Sequence, residues 1–280
     1  NLVNTILDYV FIDHFEYGVD GIAYATNIGT FLQLCVLLCI HKHYKFNCVW
    51  RMQSFYHIRE VWRLGKPQII VNFLETGSFV LMGVMISLYS ATDMAAQQIT
   101  IHVEHLILLP VCAIGSALNT LVGQACGAGH FDLVKKVTKY AISFSLVLSI
   151  TGAGLFLCFG EYIASLFIED DAVIQRAAQI FVIVGIFQIS DSVLISTSSA
   201  LRAAGDVSFT AWISSAAAWL IAPPMMWFVG WKMGYGAIGG WLGIAIEVTI
   251  VAVIFSIRLK GDKWITIAKT SRKSVLAVNP

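Results

Sequence analysis

Two carboxylates lie inside long apolar runs, where a carboxylate is expensive. Glu75 follows Pro67 by eight residues, and Asp191 precedes Leu201 by ten. An ionisable side chain at membrane depth costs at least about 2.5 to 3.5 kcal/mol on insertion scales, so it is by default a functional-site candidate. At 1.5 Å rise per residue, the two sit about 12 and about 15 Å in from the same side and can share a depth. Two like charges in one low-dielectric cavity call for a proton or a cation between them, which is the chemistry of ion coupling. The alternative is a pair of separate acids, each hydrogen-bonded to a Ser or Asn. Glu247, ten residues before Ile257, is also about 15 Å deep. It is either a polar lining residue or further proton site, or a protonated packing residue.

Other constellations carry weaker chemistry. His102, Glu104 and His105 cluster in the outer third of one apolar run. The order is not His-Glu-x-x-His and no third ligand is evident, so cavity lining outweighs a metal site. The run Glu169-Asp170-Asp171 precedes a helix, where acids cap the N-terminus; its functional reading is an acidic vestibule, centred on Asp170 and Asp171, that attracts cations. Asn4 and Asp8 stand one turn apart near the start, and Thr26 lies on the next run. Asp8 also has a reading as a plain helix-end acid. Gly123 to Gly129 lacks the Gly-Lys-Ser/Thr of a phosphate loop and is expected to be a tight turn. The scattered Ser and His residues form no recognised triad or zinc motif, so no enzyme is expected, an intramembrane hydrolase included.

The elements that position these residues follow from composition. Of the 280 residues, 58% are hydrophobic and 12% charged, against roughly 25% charge in a soluble domain. The chain is an integral membrane protein. A net charge of +1 leaves no basic surface for nucleic acid. A spanning helix needs about 20 apolar residues, which yields one partial span at 1–14 and seven full spans near 21–40, 67–90, 97–122, 137–159, 173–201, 207–230 and 236–257. No run alternates with period two as a membrane barrel would, so the expected fold class is an all-α polytopic helix bundle. Sixteen of the eighteen Lys and Arg residues fall in one alternating set of loops, which the positive-inside rule makes cytoplasmic. The six cysteines show no framework spacing and read as reduced packing residues. Pro110, Pro223 and Pro224 interrupt spans where bending would help alternating access.

The chain also carries a short internal echo. Tyr17-Gly18-Val19-Asp20-Gly21 and Tyr235-Gly236-Ala237-Ile238-Gly239 share a Tyr-Gly-x-x-Gly entry to a small-residue helix, offset by 218 positions from Gly18 to Gly236. If this marks a repeat, residues 1–42 are the last two helices of a first lobe. Residues 43–66 are then a basic cytoplasmic linker with an amphipathic helix near 55–63, 67–260 a complete six-helix second lobe, and 261–280 a cytoplasmic tail. About four spans would precede Asn1.

With Gly65-Lys66-Pro67 and Glu75, Ala95-Ala96-Gln97-Gln98-Ile99, Gly123-Gln124-Ala125-Cys126-Gly127-Ala128-Gly129, Gln188 and Asp191 leading to Leu201-Arg202 and Gly205-Asp206, and Gly236 to Gly243, the chain resembles the multidrug and toxic compound extrusion (MATE) family to about residue 260. The resemblance implies a secondary antiporter of the bacterial inner membrane that exports amphipathic cationic compounds in exchange for sodium ions or protons. It needs no cofactor and acts as a monomer when full length. It assigns a second-lobe cation site, sodium included, to Glu75 and Asp191. A first-lobe site would use Asn4, Asp8 and Thr26 with an aspartate not present in this chain. Some members carry a tyrosine one turn before the aspartate; Phe187 stands there, which leaves sodium and proton both open. The rival readings are a flippase of lipid-linked saccharides, which would need a basic cavity, and an inactive truncated fragment.

Overall fold

The apolar runs fold as helices, and hydrogen bonding explains why: lipid offers no partner for a backbone amide, so each span must satisfy its own. In the computed structural model, which describes residues 2–15, 17–43 and 55–278, no strand occurs among the described residues. Seven helices are long and apolar enough to cross a membrane, with a shorter apolar stretch at Val3–Ile12. The expected all-α, seven-and-a-part architecture is therefore what forms.

The chain divides into two units, Asn1–His57 and Ile58–Pro280. The first holds α1 (Leu2–Tyr9), a π-helical turn (Val10–His14) and α2 (Gly18–His43). The second holds all but the first residues of α3 (Phe55–Tyr89), and α4 (Ala91–Ala128), α5 (Phe131–Ser165), α6 (Asp171–Ala203), α7 (Val207–Leu220), the short α8 (Ala222–Met225) running into a π-helical segment (Met226–Lys232), α9 (Ala237–Lys260) and α10 (Lys263–Val278).

Helix α6 is the axis of the second unit and packs on α4, α5 and α9. Small residues make this possible: Ser196, Thr197, Ser198, Ser199 and Ala200 are all buried on it, and such side chains let helices in lipid approach closely. One core cluster gathers Phe156, Phe181, Met82 and Trp241; the other gathers Leu118, Leu201, Phe255 and Trp264. Phe73, Leu88, Phe144, Val147 and Leu220 lie exposed, as suits a lipid-facing belt.

The Tyr-Gly-x-x-Gly echo is also an echo of backbone geometry. In the first unit, Phe15 N–H donates to the Val10 carbonyl and Tyr17 N–H to Phe11; in the second, Met233 donates to Phe228 and Tyr235 to Val229. Each donor and each acceptor moves by the same 218 positions. Both turns leave a π-helical segment, and both pass through a left-handed glycine, Gly18 at φ 55° and Gly236 at φ 57°. A side chain would be strained at either position.

Three expectations need correction. Residues 123–128 are not a turn: α4 runs through Ala128, and only Gly129, at φ 85°, ends it as a left-handed cap. Alanine-like small residues continue a helix when no residue demands a positive φ. The helix expected to begin at residue 67 begins at Phe55 and passes Gly65 and Lys66 without a break, because one missing backbone donor does not end a helix flanked by good helix formers. Pro110 lies inside an unbroken α4, whereas Pro223 and Pro224 open α8 after α7 stops. The tail is itself mostly helical, as α10, and anchored by the fully buried Trp264. Residues 44–54 of the proposed linker lie outside the described residues.

Candidate functional site

Helix α3 is fastened to its neighbours by long side chains. The Trp219 indole donates to the Leu74 carbonyl at 2.9 Å, the Trp231 indole to Met85 at 3.2 Å and the Tyr89 hydroxyl to Gly234 at 2.8 Å. The Ser78 hydroxyl donates to the Ala218 carbonyl at 2.6 Å. Indole and phenol struts hold a helix at a distance, and the gap they leave opens into a cavity of about 520 Å³ bounded by α3, α4, α6, α7, α8 and α9.

Four carboxylates line that cavity: Glu75 from α3, Glu104 from α4, Asp191 from α6 and Glu247 from α9. His105 joins them, and the apolar wall includes Phe79, Met82, Phe187 and Trp241. Phe187 and Trp241 stack with ring centroids 6.1 Å apart. Within this ring the acids act as two pairs: Glu104 lies within electrostatic reach of Asp191, and Glu247 within reach of Glu75. Glu75 and Asp191 thus share a cavity, each within electrostatic reach of a further acid. Glu75 also borders a second cavity of about 160 Å³ that contains Arg202. The Ser214 hydroxyl hydrogen-bonds the Glu75 carboxylate, and Arg202 acts on it electrostatically. Arg202 itself donates to the Ser198 hydroxyl at 3.1 Å.

Two other buried acids are treated differently. Asp93 accepts Arg176 Nε at 2.8 Å and the Ala237 backbone N–H at 2.8 Å, fastening α4, α6 and α9 together at one end of the unit. Asp206 accepts Arg258 Nε at 2.8 Å at the other end, with the guanidinium 4.4 Å above the Phe209 ring.

The remaining sequence candidates scatter. His102 is exposed and is not among the cavity-lining residues. Asp170 caps α6 by accepting the Ala172 N–H at 2.8 Å and the Val173 N–H at 3.4 Å; Asp171 is exposed in the first turn. In the first unit, Thr26 donates to the Ile22 carbonyl, Asn4 packs over Gly29, and Asp8 Oδ1 is buried with no hydrogen-bond partner. Shifted by the repeat offset of 218 positions, Asn4 and Thr26 fall on Ala222 and Ile244, both walls of the acid-lined cavity. Among the described residues no three His, Cys, Asp or Glu side chains converge as a ready-made metal site. A cation held between the acids would therefore need hydroxyl, carbonyl or water oxygens as well.

Sequence reasoning passed over three participants. Arg202 and Ser214 were invisible as partners of Glu75, because their approach depends on how α6 and α7 pack. Trp241 left a trace, a lone indole in the small-residue run Gly236 to Gly243. Its Nε1–H is buried without an acceptor, which costs about 1 to 3 kcal/mol unless a ligand or water supplies one.

Residues 67–228 match a family model described as MatE. The chain is similar to a probable multidrug resistance protein NorM of Pasteurella multocida, at 26% identity over 92% of this chain and 59% of the relative. It thus spans well under two thirds of that relative's length. Its fold is similar to the crystal structure of the eukaryotic MATE transporter AtDTX14, with a TM-score of 0.88 at 19% identity, covering 98% of this chain and 62% of the other. The structure of the MATE transporter ClbM in complex with Rb+ is similar with a TM-score of 0.78 at 19% identity, over 96% of this chain and 61% of that one.

Proposed function

The chain belongs to the MatE family, and from that premise we propose that it is part of a secondary antiporter exporting amphipathic organic cations in exchange for sodium ions or protons across a bacterial inner membrane, with its basic loops in the cytoplasm. The single observation that carries this reading is the cavity with four carboxylates on its wall and aromatic rings beside them. Carboxylates attract a cation of either kind, inorganic or organic, and the faces of Trp241, Phe187 and Phe79 favour an organic one through their quadrupoles. A neighbour of the same fold is described in complex with a monovalent cation, and a relative is named for multidrug resistance; both agree with this assignment.

The mechanism follows from competition for charge. An ion entering down its gradient brings about 2.3 kcal/mol per charge per 100 mV of membrane potential, plus its concentration term. It takes its place between Glu75 and Glu247, or between Asp191 and Glu104, and lowers the affinity of the same cavity for the organic cation. Because a ligand moves a conformational equilibrium only through differential affinity, the ion and the drug bias opposite states of the bundle. The lipid-linked saccharide reading would require a basic cavity for a pyrophosphate, and the cavity here is acidic.

The test is transport by the full-length transporter of which this chain is part, reconstituted in liposomes. An imposed sodium or proton gradient is expected to drive uptake of ethidium, and the gradient that does so identifies the ion. Ethidium movement that ignores both gradients overturns the antiporter reading.

A further inference from the structure

At the lysine-rich end of the second unit, α5 and α9 both pack on α6 and stay apart from one another. The groove between them has a volume of about 580 Å³. Lys135, Lys139 and Lys260 line it, and Ile142, Val193 and Leu259 add an apolar wall. The hydroxyls in its walls already donate to carbonyls of their own helices, so the ammonium groups of Lys139 and Lys260 are its free donors. Among the described residues no acid lines the groove. Asp262 reaches Lys135 at 3.3 Å, and among the described residues Lys139 and Lys260 have no acidic partner.

We propose that this groove is a binding site for an acidic phospholipid, with the phosphodiester anion at Lys139 and Lys260 and an acyl chain against Ile142, Val193 and Leu259. Three features select this occupant. The first is charge: a pair of amines without an acidic partner favours an anion, and a phosphodiester supplies one with several acceptor oxygens. The second is position. Lys135 and Lys139 lie about 6 and about 12 Å along α5 from its start, and α5, 35 residues long, exceeds the roughly 30 Å hydrocarbon core, which places these lysines at the headgroup level of the leaflet. The third is shape, since an amine-bearing wall merging into an apolar one within a single groove matches an amphiphile and offers a free inorganic anion nothing beyond the amines. Basic pockets between transmembrane helices on the positively charged side bind acidic headgroups by this logic. The site is separate from the acid-lined cavity and does not depend on the transport reading.

Native mass spectrometry of the purified protein, taken from vesicles of equimolar phosphatidylcholine and phosphatidylglycerol, tests it. The wild type is expected to retain phosphatidylglycerol in preference to phosphatidylcholine. Each lysine near an anionic headgroup contributes about a factor of five, so Lys139→Gln with Lys260→Gln is expected to weaken retention by roughly thirtyfold. The charge-matched control, Lys136→Gln with Lys263→Gln, alters exposed lysines outside the groove and is expected to retain the lipid as the wild type does. Lys139→Glu, a single reversal at an exposed position, gives a second reading should the double variant unfold, and is also expected to lose the lipid. Equal retention of the two lipids, unchanged retention in the groove variants, or an equal loss in the control overturns the proposal. So does displacement of the lipid by millimolar inorganic phosphate, which would make the site one for a free anion.

Discussion

Asp93 and Asp206 are more deeply buried than the cavity acids, yet they serve a different end. Each has a guanidinium at 2.8 Å, and Asp93 also caps α9 through the Ala237 N–H. They are fasteners, one at each end of the unit, and their counter-charges come from inside the protein. Glu104, Asp191 and Glu247 face an open cavity, and the basic side chain on its wall is His105. In the proposed reading their counter-charge comes from outside. Glu75 stands between the two cases, facing Glu247 on one side and Arg202 on the other. The lesson is that burial alone does not mark a candidate acid; an acid left without a base beside accessible space does.

The contrast can be broken most forcefully at the cavity. Asp191→Asn and Glu75→Gln are each expected to reduce ion-driven transport at least about a hundredfold, because an ion with no differential affinity shifts no equilibrium. Thermal unfolding in detergent should show both variants as stable as the wild type or more so, since a neutral isostere lowers the cost of placing the group in the membrane. Transport at the wild-type rate in either variant would return that residue to the structural class.

At the fasteners the expected pattern is reversed. Asp206→Ala leaves the Arg258 charge unpaired and should destabilise the protein by about 3 to 5 kcal/mol, and Asp93→Ala should do the same to Arg176. Replacing both members of the inner pair, Asp206→Leu with Arg258→Met, is expected to recover most of that loss, because removing a buried ion pair entirely is often near neutral. Denaturant or thermal unfolding reads both. If Asp206→Ala proved neutral, the pair would not be a fastener.

The smallest effect belongs to Glu75. Arg202→Gln withdraws its internal counter-charge and should tighten cation binding a few-fold, in line with the roughly 1 kcal/mol that a solvent-screened charge pair is worth at contact. Equilibrium binding of the coupling ion reads it. Weaker binding would mean that Arg202 positions Glu75 instead of competing for it.

Much of this division was legible in the sequence, though unevenly. Hydropathy placed the spans, and an acid within a span was enough to single out Glu75, Asp191, Glu104 and Glu247. Asp93 and Asp206 were passed over because they sit at helix starts, where an acid is ordinary; only the packing of α6 and α9 brings Arg176 and Arg258 to them. Pairwise proximity was also out of reach. Helix depth can be counted along a sequence, but the rotation of α3 and α4 that sets Glu75 by Glu247 and Glu104 by Asp191 cannot. The Gly123 to Gly129 run misled because glycine and alanine serve close helix packing as readily as turns, and only the positive φ of Gly129 separates the two uses.

The central claim, that the unpaired cavity acids take their counter-charge from outside, is tested most directly by ion binding. Radioactive sodium uptake by the purified protein would be measured at equilibrium, with proton release recorded alongside, before and after addition of tetraphenylphosphonium. The wild type is expected to bind sodium or hold exchangeable protons and to give them up to the organic cation. Asp191→Asn and Glu75→Gln should lose this exchange, while Asp93→Asn, once folded, should keep it. Exchange that survives in both cavity variants, or that disappears equally in a folded Asp93→Asn protein, would contradict the account.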